Sequence, residues 1–338
     1  MDALVLQTLN GLDKGGAYAL IALGLTLAFG TLGIVNFAHG ALFMLGAFCA
    51  VAVQKILTIS MRVRDESITF FEAYKETPYL EIWWGDTGRL IIEYSVPISI
   101  LLAIPVMALI GVAMERGLIR YFYKRSHAEQ ILVTFGLAIV LQEIVRQFFG
   151  ANSIPMAPPS VVAGSANIGT FLGLSEALVY PWWRLIYLVF AVVVIGGVFS
   201  FLQFTTYGMV VRAGMADRDT VGLLGINIQR RFTVVFALAA VVAGLAGVMY
   251  TPVLPPDYTM GMDFLVLSFV VVVVGGMGSL PGAVAAGFLL GILQSFASLN
   301  EIKQLIPGID QIIIYLVAVV ILLVRPRGLM GRKGVMET

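Results

Sequence analysis

Nine apolar stretches constrain this chain more than any other feature. Each approaches the length that crosses about 30 Å of hydrocarbon as a helix. They cover residues 15–30, 37–53, 96–113, 131–149, 184–204, 232–250, 264–278, 281–299 and 311–324. Only 12% of all residues are charged, against roughly 25% in ordinary soluble domains. The sequence therefore predicts an all-α integral membrane protein with about eight or nine transmembrane helices, and residues 4–12 are predicted as a short interfacial or half-buried helix before the first span.

Basic residues predict the orientation of these spans. Three connections hold 12 of the 21 basic residues. The residues are Arg116, Arg120, Lys124 and Arg125 in the first, Arg212, Arg218, Arg230 and Arg231 in the second, and Arg325, Arg327, Arg332 and Lys333 at the C-terminus. The positive-inside rule places all three in the cytoplasm, which gives an N-out, C-in topology. The net charge of +1 does not indicate nucleic acid as a partner.

The two longest remaining connections are predicted to face outward. An insertion at 54–94 carries an acidic excess, and residues 150–183 contain no Lys or Arg. All four tryptophans, Trp83, Trp84, Trp182 and Trp183, lie in these connections. They either form an aromatic belt at one membrane interface or pack the connections onto the helices.

A polar interruption, Gly33-Ile34-Val35-Asn36-Phe37-Ala38-His39-Gly40, separates the first two apolar stretches. The stretch before it has only 16 residues, short of the roughly 20 that a crossing needs. Asn36 stands where the N-cap of the next helix is expected. We therefore predict a broken helix whose polar groups line a path; the alternative is that the glycines permit close packing and the polar side chains bond to neighbouring helices.

A second interruption has the same character. The run Gly275-Gly276-Met277-Gly278-Ser279-Leu280-Pro281-Gly282 ends one short apolar stretch, and Ser279 with Pro281 predicts the start of the next helix. Interrupted segments in comparable positions of two halves are typical of transport sites. Their helix starts offer unpaired N–H groups to a carboxylate or another polar group.

Metal binding and catalysis are not expected. The imidazole of His39 has no second histidine, cysteine or acid near it in the sequence, and the single cysteine, Cys49, lies in an apolar stretch. No cofactor is predicted. No GxxxxGK[ST] phosphate loop occurs, and no acidic relay is visible near the middle of a span. The energy for transport is therefore expected to come from another subunit.

The connection at 205–231 has a sequence pattern that indicates more regular structure than a simple linker needs. Four glycines punctuate alternating apolar and charged residues, a pattern that predicts short surface helices. Arg212 and Asp217 are expected to be free for surface pairs, so the helices could dock into a soluble partner. The alternative is a solvated basic loop that only fixes topology.

Several of these runs together resemble a known family. The first run is residues 16–27, which is followed by Phe29-Gly30 and then by the first interruption. Others are Arg212-Ala213, Asp217, Leu223-Leu224-Gly225-Ile226-Asn227, the second interruption, Arg325-Pro326 and Gly328-Leu329. Nearly the whole chain is similar to the LivH-type permease of branched-chain amino-acid ABC importers. The first interruption resembles the LivH-type more than the LivM-type permease.

The resemblance implies a type II ABC importer-like permease forming a single transmembrane domain over residues 1–338, in a bacterial inner membrane. Implied partners are a LivM-like permease, two LivG/LivF-like ATPases and a periplasmic substrate-binding protein, with membrane lipid around them. The 205–231 connection becomes the ATPase-coupling loop, shaped by Arg212, Asp217, Gly225 and Asn227. The translocation path is predicted to include Thr26, Asn36, His39, Gly40, Gly275, Gly276 and Ser279.

Three alternatives remain open. Members of the resembled family also move urea, short amides and organic acids, so the substrate is not fixed. An ATP-independent channel or facilitator is the second class, and an intramembrane enzyme is a third. The 54–94 insertion, longer than expected for the family, is either an external layer over the path or a spacer.

Overall fold

A computed structural model describes residues 2–34, 36–64, 74–123, 125–173, 178–216 and 218–331. Within these ranges, seven helices are long and apolar enough to cross a membrane. They are α1 Asp2–Leu32, α2 His39–Leu57, α5 Ser95–Gly117, α6 His127–Phe149, α8 Trp182–Phe204, α11 Ile228–Tyr250 and α13 Leu280–Ala297. Two shorter apolar helices are α12 Met260–Gly275 and α15 Ile309–Val324. All nine predicted apolar segments are therefore helices, and the chain is a multi-pass membrane protein.

Short elements fill the connections. The helices are α3 Tyr79–Trp84, α4 Asp86–Glu93, α7 Ile168–Leu172, α9 Thr206–Ala216, α10 Arg218–Leu223 and α14 Asn300–Leu305, with 3₁₀ turns at Ile119–Phe122 and Ser160–Val162. Two antiparallel hairpins pair β1 Ser60–Arg64 with β2 Tyr74–Pro78 and β3 Ser165–Asn167 with β4 Val179–Pro181. In the first, Ser60 lies opposite Pro78, and in the second Ser165 lies opposite Pro181.

The first helix differs from its prediction. Residues 4–12 and 15–30 form one continuous helix of 31 residues rather than two pieces. In the sequence Asp13 lies between these two pieces, but in the structure it is buried in the bundle, with 2% of its surface exposed. Gly11 and Gly15 let α1 approach α13, because an added Cβ would lie 2.6 Å from the Cα of Ile292 and 2.8 Å from that of Phe288. Packing against α13 thus extends α1 past its polar residues.

The centre of the bundle is formed by α1 and α11. In the most apolar stretch of each, 83% of the residues are buried, against 28% in α5 and α8 and 22% in α6. Helix α2 crosses α11 where Gly46 meets the backbone of Gly244, and Gly247 meets the carbonyl of Phe43. Small residues at such a crossing let two backbones touch. The peripheral helices leave much of their apolar surface exposed.

The described residues of the insertion at 54–94 form regular structure. It contains the β1–β2 hairpin, α3 and α4, and the Glu93 carboxylate at the end of α4 accepts a hydrogen bond from the backbone N–H of Ser160 at 3.0 Å. Trp83, Trp84 and Trp182 are exposed, whereas Trp183 is buried and its indole N–H donates to the carbonyl of Met249. One tryptophan therefore packs its connection onto α11, and three remain exposed as an interfacial belt requires.

Candidate functional site

The first interruption is a turn between two helices. Gly33 adopts φ +67°, and its N–H donates to the carbonyl of Phe29 at 2.8 Å, which ends α1. Helix α2 begins at His39, and its N-cap is Ala38, so Asn36 is not the N-cap. Its side chain instead accepts from the N–H of Ala38 at 3.0 Å. Asn36 therefore forms an Asx-turn with Ala38, which takes the helix-cap position that was expected for Asn36.

This turn lies deep in the bundle. A Cβ added to Gly24 would meet both the His39 Nε2 atom at 2.5 Å and the carbonyl oxygen of Ala239 at 3.1 Å. Ala239 is the central residue of α11, so α2 begins halfway along its neighbour. The predicted helix start inside the apolar layer agrees with this position.

Three buried side chains at the turn, and one on α1 before it, carry polar atoms without a hydrogen-bond partner in the described part of the chain. The atoms are Thr26 Oγ1, Asn36 Nδ2, both imidazole nitrogens of His39, and Ser268 Oγ. The carbonyl of Ile21 faces the imidazole, but neither ring nitrogen makes a well-formed hydrogen bond. Buried polar groups are normally paired, so these unpartnered atoms are unusual for a packed core.

Ser268 was missed by sequence reasoning. It is a single hydroxyl inside the apolar run of α12, where no sequence signal distinguishes it from a packing residue. Its neighbours on the same helical face reveal it: Leu265 contacts Gly40, and the Phe269 ring lies 5.4 Å from that of Phe37. Residues three and four apart share a helix face, so Ser268 faces the turn.

Gly40 holds α2 against α12. A Cβ there would lie against the carbonyl oxygen of Gly261 and 2.5 Å from the Cβ of Leu265. This contact fits the packing alternative for the glycine. A place for Gly40 at the path stays a prediction.

The second interruption separates α12 from α13. Ser279 is the N-cap of α13, and its hydroxyl accepts from the N–H of Gly282 at 3.3 Å, with proline in the first turn. The predicted helix start is confirmed. Gly276 at φ +103° and Gly278 at φ +82° supply the reversal, and Gly275 packs directly on Gly282.

A C-terminal segment, residues 325–331, pairs with this interruption. The N–H of Leu329 donates to the carbonyl of Val274 at 2.8 Å, and the N–H of Met330 to that of Gly275 at 3.0 Å. These bonds satisfy carbonyls at the end of α12 that have no partner within the helix. In the sequence the segment was noted for its basic residues and for its resemblance to a family motif; its contact with the interruption was not predicted.

The predicted path residues fall into two groups. Asn36, His39 and Gly40 lie in or beside the first turn and Thr26 lies on α1 before it, whereas Gly275, Gly276 and Ser279 lie at the far end of α12. Gly40 contacts Leu265, and ten residues of helix, about 15 Å, separate Leu265 from Gly275. The two interruptions approach each other where a Cβ on Gly278 would lie 4.0 Å from the Cα of Gly30.

The connection at 205–231 forms two short helices, α9 and α10, as predicted. Arg212 is not free: its guanidinium donates to the carbonyl of Leu202 at the end of α8 and to the Gln203 side chain at 3.3 Å. A basic side chain at this place satisfies the last carbonyls of a helix, which the sequence pattern did not reveal. Asp217 lies outside the described residues.

A glycine and a capping asparagine determine the turn that leads into α11. Gly225 adopts φ +77°, and the Asn227 side chain caps α11 by accepting from the N–H of Arg230 at 3.0 Å. Beside this turn Leu223 is 89% exposed and Leu224 is 73% exposed. Two adjacent apolar side chains on a connection are suited to a protein partner.

Two acids are buried in the described residues, although the sequence showed no acidic relay near the middle of a span. Asp13 and Glu115 are 2% and 0% exposed. Glu115 accepts from Arg120 at 3.1 Å, Tyr123 at 2.6 Å and Thr233 at 2.9 Å. The Arg120 pKa is raised by its hydrogen bond to this carboxylate. The burial of both acids was not predicted, because they lie near span ends in the sequence but inside the bundle in the structure.

No group of three or more His, Cys, Asp or Glu side chains suited to a metal ion occurs among the described residues. His39 itself lies against the glycine and carbonyl described above.

Comparison with known proteins identifies relatives across nearly the whole chain. The model of a family described as "Branched-chain amino acid transport system / permease component" matches residues 7–322. The high-affinity branched-chain amino acid transport system permease protein BraD of Pseudomonas aeruginosa is 29% identical over 97% of this chain and 96% of its own. The corresponding LivH protein of Escherichia coli is 27% identical over the same shares.

A more distant relative is the ribose import permease protein RbsC of Haemophilus influenzae, 25% identical over 67% of this chain and 69% of its own. No solved structure matches significantly.

Proposed function

The chain belongs to the family of permease components of branched-chain amino acid transport systems, and from this membership we propose that it translocates branched-chain amino acids as one permease subunit of an ATP-driven importer. The observation that carries the proposal is the family match over 7–322, joined to full-length similarity with two named branched-chain amino acid permeases. A periplasmic binding protein would supply the substrate, and a LivM-like chain would complete the permease pair.

The proposed mechanism is alternating access driven from the α9–α10 end. ATP binding closes two separate LivG/LivF-like ATPase subunits, their motion reaches α9 and α10, and the permease pair then opens to the other side. The hydrogen bonds of Arg212 to α8 and of Asn227 to α11 support this assignment, because they tie the connection rigidly to two spans. The exposed Leu223 and Leu224 would lie in a groove of the ATPase.

Within this scheme the chain lies in the bacterial inner membrane with its N-terminus outside. The three basic connections support that orientation. The insertion at 54–94 would then face the binding protein, and its contact with Ser160 supports an external layer rather than a spacer. Asn36, His39, Thr26 and Ser268 would provide polar groups to the path, since each is buried and has a polar atom without a hydrogen-bond partner among the described residues.

Reconstitution tests the function. Proteoliposomes that contain both permeases and both ATPases should take up radiolabelled L-leucine only with internal ATP and external leucine-loaded binding protein. Uptake at full rate without ATP would establish the channel alternative. Binding assays of the binding protein with leucine, urea, short amides and organic acids decide the substrate class.

A surface substitution tests the ATPase contact. Leu223→Ser with Leu224→Ser should reduce copurification of the ATPase subunits at least threefold. The control, Leu132→Ser, changes a leucine of similar exposure, 72%, on α6 and outside the 205–231 connection. Equal loss in both variants would contradict the docking surface.

A further inference from the structure

A second polar cluster lies at the opposite end of the bundle from α9 and α10. It is centred on Asp13, one of the two buried carboxyl groups in the described residues. Glu115 has a full set of hydrogen bonds, but Asp13 Oδ1 has no hydrogen-bond partner there. An incompletely paired buried carboxylate is costly, and an ionisable group within a transmembrane bundle usually has a function.

The cationic partner of Asp13 is Arg184, in the first turn of α8. Its Nη1 atom lies 3.9 Å from Asp13 Oδ2 and donates to the Asn10 side chain at 3.1 Å. The Arg184 side chain is 34% exposed, whereas that of Asp13 is 3% exposed. The two charges are therefore close but not in direct hydrogen-bonding contact, and the arginine is the more exposed of the two.

Aromatic side chains lie beside the pair. The rings of Tyr187 and Tyr250 lie 5.2 Å apart, both residues are buried, and a Cβ on Gly16, one turn after Asp13 on α1, would lie 3.6 Å from the Tyr187 ring. The Tyr187 hydroxyl has no partner in the described part of the chain. The Arg184 guanidinium lies 6.0 Å from the ring centre of Tyr180. One anion, one cation and an aromatic surface thus converge on one place.

We propose that Asp13 and Arg184 form a recognition site for a zwitterionic α-amino acid. The substrate ammonium group binds the Asp13 carboxylate, the substrate carboxylate binds the Arg184 guanidinium, and the apolar side chain packs against Tyr187 and Tyr250. The 3.9 Å contact is the closed form, which substrate entry separates. The inference rests on the proposed function and adds that the permease itself selects for both charges of the substrate.

Neutralising the charges singly and together tests the site. Uptake of radiolabelled L-leucine per assembled complex is measured in the proteoliposomes with one preparation of binding protein for every variant. Asp13→Asn and Arg184→Gln should each lower uptake at least tenfold, and the double variant should be as impaired as the worse single one. A purely structural ion pair behaves differently, because removing both partners relieves the cost of removing one. Recovery of uptake in the double variant would overturn the proposal.

Glu143→Gln with Arg146→Gln is the matched control. This pair lies 3.1 Å apart on α6 with both side chains about half exposed, and uptake should stay within twofold of the unmodified protein. If the unmodified complex takes up no leucine, the proposed function itself fails. If it does take up leucine and Asp13→Asn remains within twofold, only the recognition site is rejected.

Arg184→Lys covers the case in which the neutral variants do not assemble. Lysine keeps the charge but loses the planar two-point geometry that suits a carboxylate. The half-saturating concentration of the leucine-loaded binding protein should rise at least threefold at unchanged maximal uptake. An unchanged value would count against the site.

Discussion

The imidazole of His39 lies directly against Gly24, so that a Cβ on this glycine would come within 2.5 Å of Nε2. The contact fixes the start of α2 against the middle of α1. The backbone of α11 closes the same space at Ala239, which leaves the ring little room to move.

Gly24→Ala should therefore destabilise the bundle. Overpacking of a tight core costs about 1–3 kcal/mol, and we expect a lower thermal midpoint of the detergent-solubilised protein together with reduced leucine uptake. Gly136→Ala is the control: it is a helical glycine with nothing within 4 Å of an added Cβ, so the better helix propensity of alanine should leave stability equal or slightly higher. Equal destabilisation by both substitutions would contradict the packing role.

Glu115 is expected to stabilise the joint between α5 and α11. Glu115→Gln removes the charge that Arg120 and Thr233 bind, and loss of charged hydrogen bonds costs about 2 kcal/mol. The unfolding midpoint should fall clearly. The control, Glu129→Gln, removes one partner of an exposed pair with Arg125 at 3.8 Å, which should contribute under about 1 kcal/mol. A larger effect of the control would show that burial does not govern these pairs.

The architecture was largely readable from the sequence because hydrophobic length and turn chemistry act locally. Nine apolar runs gave nine helices, and Ser279 followed by Pro281 marked a helix start correctly. Asn36 was misplaced by two residues, since an asparagine can satisfy a nearby N–H without being the cap itself. Local signals therefore predicted the presence of a helix better than the residues at which it begins and ends.

Contacts between residues far apart in the chain could not be predicted from the sequence. Asp13 and Arg184 lie 171 positions apart in the sequence and meet only because α1 and α8 pack together. Ser268 looks like part of an apolar run until α2 places a polar turn beside it. The pairing of Leu329 with Val274 likewise depends on the chain returning to α12 at its end. Sites built from distant segments need the fold before they can be recognised.

The turn at Gly225 is expected to couple ATP hydrolysis to transport. Gly225→Ala forces a side chain into φ +77°, at a cost of about 1–2 kcal/mol, and should shift α10 relative to α11. Uptake per hydrolysed ATP should fall at least tenfold while ATP hydrolysis persists. Gly222→Ala, in α10 with open space around it, serves as the control and should stay coupled.

Asp217→Ala is predicted to have the same uncoupling effect, from its place in the coupling motif. Unchanged coupled transport in both Gly225→Ala and Asp217→Ala would reject the assignment of this loop.

Asn36→Ala should impair transport more than assembly. The substitution removes the acceptor for the Ala38 N–H, a loss of about 1 kcal/mol, and also removes the unpaired Nδ2 group from the proposed path. Uptake is compared with the amount of assembled complex on the same membranes. If the two fall in proportion, Asn36 is purely structural.

The C-terminal segment is expected to hold the second interruption closed. Gly328 adopts φ +76°, and a Cβ there would lie 2.6 Å from the amide nitrogen of Gly276 and 2.7 Å from the Val273 carbonyl oxygen. Gly308 offers a matched control, since it adopts φ +81° with nothing within 4 Å. Both alanine variants incur the cost of a left-handed backbone, about 1–2 kcal/mol, but only Gly328→Ala also pushes the segment off α12. Gly328→Ala should therefore lower the thermal midpoint further than Gly308→Ala and make the peptide bonds after Val324 more accessible to protease. Equal midpoints and equal proteolysis would mean that the segment does not stabilise the interruption.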